Sequence, residues 1–199
     1  MSSNVRNIAA PNFAVASKEY DFTWQDQFTN VLRLHLNNSA NAINAPKVFG
    51  SYYDTTTQTN AAGTNLITYN STTIAYNTKI GSPTSRVFVS ETAIYNIQFS
   101  AQLDKTGGGA DPIYIWLRKN GTDVADSASK VVVNGNSDEK IAAWNFVIQL
   151  QSNDYIELAW SSSDATMILP AIAASTVAPV HPEVPSVILT IVWVSNPPV

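Results

Sequence analysis

The sequence predicts an all-β sandwich or barrel of about eight to ten short strands, preceded by an extended N-terminal arm and one α-helix. Three features predict it. Between positions 94 and 103, Tyr95, Ile97, Phe99, Ala101 and Leu103 share one face, while Asn96, Gln98, Ser100 and Gln102 take the other. A period of two places one face of a strand in a core. Next, WNFVIQLQSNDYIELAW (144–160) holds two further alternating runs around the polar turn Gln151-Ser152-Asn153-Asp154, and it reads as an antiparallel hairpin. Finally, Gly, Pro and Asn-Gly turn signals recur at roughly 8–12-residue spacing, the pattern of a sandwich or barrel. No internal repeat points to a propeller or β-helix.

In chain order, residues 1–20 are small and polar, with Pro11, and read as an extended arm. A helix follows, capped by Asp21 or Thr23, with Asp26 in its first turn facing the positive end of the dipole. Its apolar stripe is Trp24, Phe28, Leu32 and His35 or Leu36, widened by Val31 and Leu34 and continued by Ala40 and Ile43, and Pro46 ends it. Asn37, Asn38 and Asn41 weaken its second half, so it calls for a partner surface, either the chain's own β domain or another subunit.

Short strands are expected at 66–69, 73–76 and 86–89, then at 94–103. Asp104 to Pro112, with three glycines, reads as a flexible loop. A strand at 113–119 runs into Asn120-Gly121, a strong primed-turn signal. Val131-Val132-Val133 ends at the Asn134-Gly135-Asn136 turn. Beyond the 144–160 stretch, Met167-Ile168-Leu169 is cut short by Pro170, and Pro179, Pro182 and Pro185 keep 171–186 out of any central strand. The last strand, 187–194, is apolar on both faces and belongs mid-sheet under a covering layer or a subunit contact.

At 199 residues the chain is long enough to bury a core without staples, and it contains no cysteine, which excludes disulfides, thiolate metal sites and thiol catalysis. Charged residues make up only 13%, with a formal net charge of −4, which argues against a protein that neutralises phosphates. No stretch has the length of a signal-peptide core or a membrane span, so no membrane partner is expected. Sequons begin at Asn37, Asn70 and Asn120, as chance provides in so Asn- and Thr-rich a chain.

The search for chemistry yields little. His35 and His181 have no sequence-local partners, and two histidines do not make a histidine-rich metal site. Asp104 and Asp111 flank the glycines and Asp123 and Asp126 follow the Asn-Gly turn, but none matches a calcium loop, and solvated aspartates are the better reading. Asp154 and Glu157 read as turn and strand-surface residues, not as a hydrolytic pair. The glycine run lacks the lysine and Ser/Thr of a phosphate cradle. Neither catalytic residues, metal nor cofactor is expected. Tyr114 and Trp116 alternate with Ile113, Ile115 and Leu117, giving a strand with large groups on both faces. Aromatic groups outside a core serve subunit interfaces or sugar stacking, with the interface preferred here.

Four segments carry a resemblance: AIYNIQFSAQL (93–103), IYIWLRKNGTDV (113–124), AAWNFVIQLQSNDYIELAW (142–160) and PSVILTIVWV (185–194). Together they resemble the jelly roll of the tumour necrosis factor and complement globular-head superfamily. Ala93-Ile94-Tyr95 departs from the usual glycine-led start, and Asn153-Asp154 stands where Gly-Asp is usual. With YDTTTQT (53–59), IGSPTSRVFVSE (80–91), SAQLDKT (100–106) and the preceding VLRLHLNNSANAI (31–43), the chain is similar to a group of tailed-phage virion proteins.

The resemblance implies a homotrimeric, non-enzymatic structural protein on a capsid surface, assembled in the host cytoplasm. The leading expectation is a capsid decoration or cement protein that contacts the major capsid protein or other virion proteins, without nucleic acid. The alternative is the receptor- or glycan-binding head of a short tail or head fibre. Residues 1–49 would form the docking arm and helix, and 50–199 the jelly roll. Expected at oligomer or capsid interfaces are Trp24, Phe28, Leu32, Tyr114, Trp116, Ile188 and Val192.

Overall fold

A computed structural model describes residues 22–43, 47–135 and 138–197, except the side chains of 40–43. The arm, Asp21, Pro46, Asn136 and Pro198 lie outside the described residues, as do the side chains of Ala40 and Ile43. Helix α1 (Phe22–Ile43) belongs to one compact unit and the β body, from Lys47 onward, to another. Partly buried side chains on α1 fall on one side, at Trp24, Phe28, Val31, Leu32, His35 and Ser39, while Leu34 and Leu36 are exposed. Trp24 and Phe28, one turn apart, stack at 5.5 Å. Two sequence expectations for the helix do not hold. Thr23 lies inside it and does not cap it, and its first turn carries no acidic residue, because Asp26 comes one residue too late.

The β body contains fourteen strands among the described residues, eight of them six residues or longer. In chain order these are β1 (Phe49–Asp54), β2 (Gln58–Thr59), β3 (Asn65–Leu66), β4 (Ser71–Tyr76), β5 (Thr78–Ile80), β6 (Val87–Val89) and β7 (Ala93–Lys105). There follow β8 (Ala110–Lys119), β9 (Thr122–Asp123), β10 (Ser129–Asn134), β11 (Lys140–Leu150), β12 (Tyr155–Ser162), β13 (Met167–Leu169) and β14 (Val187–Ser195). They form two antiparallel sheets. The first runs β2–β13–β7–β14–β1–β4 with β11 on the other edge of β7, and the second β10–β8–β12–β6–β5 with β3 and β9 attached to β12 and β8. The chain passes back and forth between the two layers, so the body is a jelly-roll sandwich.

Alternation builds the core. Tyr95, Ile97, Ala101 and Leu103 of β7 meet Ile113, Ile115 and Leu117 of β8 and Ile156, Leu158 and Trp160 of β12, all buried. β14 is a central strand between β7 and β1, as its apolar character predicts, with Val187, Leu189 and Ile191 inward. Asn120 (φ 49°) and Gly121 (φ 79°) form the predicted primed turn, which closes Lys119 onto Thr122.

The 144–160 stretch is not a hairpin. β11 pairs with β7 in the first sheet and β12 pairs with β8 in the second, so 151–154 arches from one layer to the other. Alternation reports which face is buried, and two strands facing each other across a core share the pattern of two strands side by side. Other boundaries also move. The expected strand at 66–69 shortens to Asn65–Leu66, although Ile67 and Tyr69 are buried. The expected 104–112 loop contracts to 106–109, because β7 and β8 extend toward each other. β1, which the sequence reading did not single out, pairs with both β14 and β4.

Candidate interaction surfaces

Two polar clusters explain the charged residues that motif reading left open. Lys105 is buried, at 1% exposure, with its ammonium held by the carboxylates of Asp111 and Asp164 (2.7 Å to the latter) and by the carbonyl of Gly108 at 2.7 Å. Thr166 adds two donors to Asp164 Oδ1, from its N–H and its hydroxyl, each at 2.6 Å. Asp111 and Asp164 raise the Lys105 pKa above its ordinary value, and the Lys105 ammonium, followed by Thr166, holds Asp164 well below the usual carboxylate range. Asp111 is therefore a partner in an internal ion cluster and not the solvated loop residue expected. The chain's own ammonium fills the place a cation would take among those oxygens.

Glu157, expected on a strand surface, is 1% exposed. The Ser85 hydroxyl donates to its carboxylate at 3.0 Å, and the Arg86 Nε does so at 3.3 Å, while Arg118 Nη1 lies 3.9 Å away. Arg86 also lies over the Tyr155 ring at 4.5 Å. Among the described residues no group of three or more His, Asp or Glu side chains is arranged to hold a metal ion.

The outward face of the first sheet is banded. One cross-strand row reads Tyr76, Phe49, Val192, Asn96 and Val147, and Phe49 and Tyr76 stack at 5.8 Å. A second reads Tyr53, Ile188, Ser100 and Ala143. Between them lies the polar row Ser51, Thr190, Gln98 and Asn145, with Ile74 beyond Ser51. Ile74, Tyr76, Val147, Ile188 and Val192 are all exposed in the subunit. A groove of about 280 Å³ crosses this face beside Tyr53, Ile188 and Glu183.

A second apolar surface occupies the sandwich edge. Among the described residues β11 has a strand neighbour on one side only, and its inward side chains Trp144, Phe146 and Ile148 are only partly buried. Trp144 meets Phe99 edge-on, and Phe146 stacks with Phe99 at 6.2 Å. The buried Nε1 of Trp144 donates to no acceptor among the described residues.

Of the residues singled out from sequence, Ile188 and Val192 share the first sheet's outward face, whereas Tyr114 and Trp116 lie on the outward face of the second. Trp24, Phe28 and Leu32 belong to the helical unit. Sequence reading missed Phe49 and Tyr76 on the face and the Phe99–Trp144–Phe146 cluster on the edge. Phe99 meets Trp144 and Phe146 only through the pairing of β11 with β7, which the alternation of either strand does not reveal.

No protein-family model matches the sequence, and no curated protein matches it. Among solved structures the chain is similar to the globular domain of zebrafish complement 1qA protein. The identity is 12% and the TM-score 0.46, covering 76% of this chain and 99% of that one. It is similar also to murine APRIL, at 11% identity and TM-score 0.46, over 74% of this chain and 99% of that one. Neither likeness bears on function.

Proposed function

We propose that this protein is a non-enzymatic structural protein of a phage virion, a homotrimer that decorates and stabilises the capsid. The observation that carries the reading is the presence of two dissimilar apolar surfaces on one subunit, the banded sheet face and the aromatic edge of β11. Unlike surfaces that complement each other make a heterologous contact, and a heterologous contact that closes gives a ring, not a two-fold dimer. The edge of one subunit, led by Trp144 and Phe146, packs against the Phe49, Tyr76, Ile188 and Val192 face of the next. Threefold closure and the virion setting are taken from the resemblance of the strand segments to phage proteins. Residues 1–49 serve as the anchor on the shell and 50–199 as the trimer body.

A receptor-binding head on a short fibre is the second reading, favoured by the outward Tyr114 and Trp116. Imaging of purified virions tests both. Density spread over the capsid lattice in threefold clusters is the expected result, and density confined to the tail or one vertex refutes the decoration role.

A further inference from the structure

The outward face of the second sheet carries a feature that trimer assembly does not use. β8 fills the core with Ile113, Ile115 and Leu117, so Tyr114 and Trp116 on its other side contribute to no core. Two residues apart on one strand, they stand about 6.6 Å from each other along it. The Trp116 indole N–H donates to Asp123 Oδ1 at 2.8 Å, and Arg118 Nε lies 2.9 Å from the same oxygen. The ring is therefore held in place by its own strand and by the β8–β9 turn. Opposite Trp116 stands Ala159, too small to cover it, and Tyr114 lies between Lys130 on β10 and Ser161 on β12. Tyr114 is 41% exposed. Its hydroxyl, the Lys130 ammonium and the Ser161 hydroxyl make no hydrogen bond or ion pair among the described residues.

We propose that this Tyr114–Trp116 strip is a carbohydrate platform that takes a pyranose ring of a surface polysaccharide. The chemistry of the strip selects that occupant. A protein-interface core is depleted of charge, whereas here Lys130 and Asp123 border the two rings directly. A pyranose presents a C–H face that stacks on an aromatic ring and a rim of hydroxyls that needs donors and acceptors. The unengaged Tyr114, Lys130 and Ser161 groups supply that rim, and Asp123, already fixed, offers its second oxygen. The strip is shallow, so one sugar binds weakly, and several copies of the site on an assembled particle raise the avidity without any new contact.

Saturation-transfer NMR on the full chain tests this, with the methyl glycosides of glucose, galactose, mannose and N-acetylglucosamine as probes. At least one glycoside is expected to receive saturation, and Trp116→Ala and Tyr114→Ala are each expected to weaken it about tenfold. Lys130→Ala, a fully surface change, gives a smaller loss and guards against a folding defect in the aromatic variants. Absence of transfer to all four glycosides, or transfer unchanged in all three variants, overturns the platform. Monovalent sugar binding does not require oligomerisation, so a chain that proves monomeric yet binds would refute the trimer and leave this site standing.

Discussion

Trp144 stands edge-on to Phe99, with ring centroids 4.6 Å apart and planes at 76°. Phe99 faces the sandwich interior from the central strand β7, and Trp144 from β11, which among the described residues has no strand on its far side. Edge-to-face geometry adds about 0.5–1.5 kcal/mol beyond area burial, but the isolated subunit buries Phe99 while leaving Trp144 part-exposed, its indole N–H without an acceptor among the described residues. A neighbouring subunit that covers the edge buries the part-exposed side of Trp144. The face it would cover includes Val192, 42% exposed in the subunit. Val192→Lys is expected to change the unfolding free energy of the subunit by less than about 1 kcal/mol. It is also expected to abolish the oligomer. Sedimentation alongside denaturant titration separates the two effects.

The Lys105 cluster predicts the form of the acid response. Asp164 has a depressed folded-state pKa, so its contribution is fully present above the unfolded carboxylate value near about 4 and is lost as pH falls toward the folded value. Lys105 has a raised folded-state pKa, so its contribution persists below the unfolded lysine value and disappears only as pH rises through the folded one. Neutral and mildly acidic media leave the cluster intact. Asp164→Asn should lower stability at neutral pH and flatten its fall between about pH 5 and about pH 2. Urea titrations across that range provide the comparison, and an unchanged slope in the variant would remove Asp164 from the account.

Gly121 lies at φ 79°, where an added Cβ would come within 3.3 Å of the Tyr155 hydroxyl. The neighbouring Asn120 accepts from the Tyr155 N–H at 3.0 Å and donates to Asp154 at 2.7 Å, which joins this turn to the arch before β12. Gly121→Val is expected to cost about 1–2 kcal/mol through left-handed backbone strain. Thermal unfolding measures it. Gly108→Ala, at a position with open space and no positive φ, serves as the tolerant control.

The β body from Lys47 is a compact unit separate from the helical one. Deleting residues 1–46 is expected to leave a folded sandwich with the parent's oligomeric state that no longer coats capsids. A binding assay on undecorated capsids would show this, and normal coating by the truncated protein would relieve the arm and helix of the anchoring role.

How far the fold can be read from sequence depends on the range of the contact that determines each feature. Tyr95 to Leu103 announce a strand through their own alternation, and Asn120-Gly121 announces a turn through its own backbone preferences. Both are local, and both are found where expected. Whether β11 lies beside β12 or across the core from it is determined by pairing with β7 and β8, through residue pairs from Lys140–Leu103 to Leu150–Ala93 that are 37 to 57 positions apart, and alternation is the same in either case. Glu157 looked like a surface residue because its strand alternates. Its burial comes from Ser85, Arg86 and Arg118, three side chains that no local pattern brings together. The surfaces follow the same rule. Ile188 and Val192 were legible because β14 is apolar on both sides, whereas Phe49 and Tyr76 join them only through the register of β1 with β4 and β14.

The mass of the intact protein in dilute solution tells a ring of edge-on-face contacts from a monomer or a two-fold dimer. Light scattering should return three times the 21.6 kDa chain mass, and Val192→Lys should reduce it to one. A parent protein that stays at the single-chain mass, or that forms a two-fold dimer, would contradict the ring.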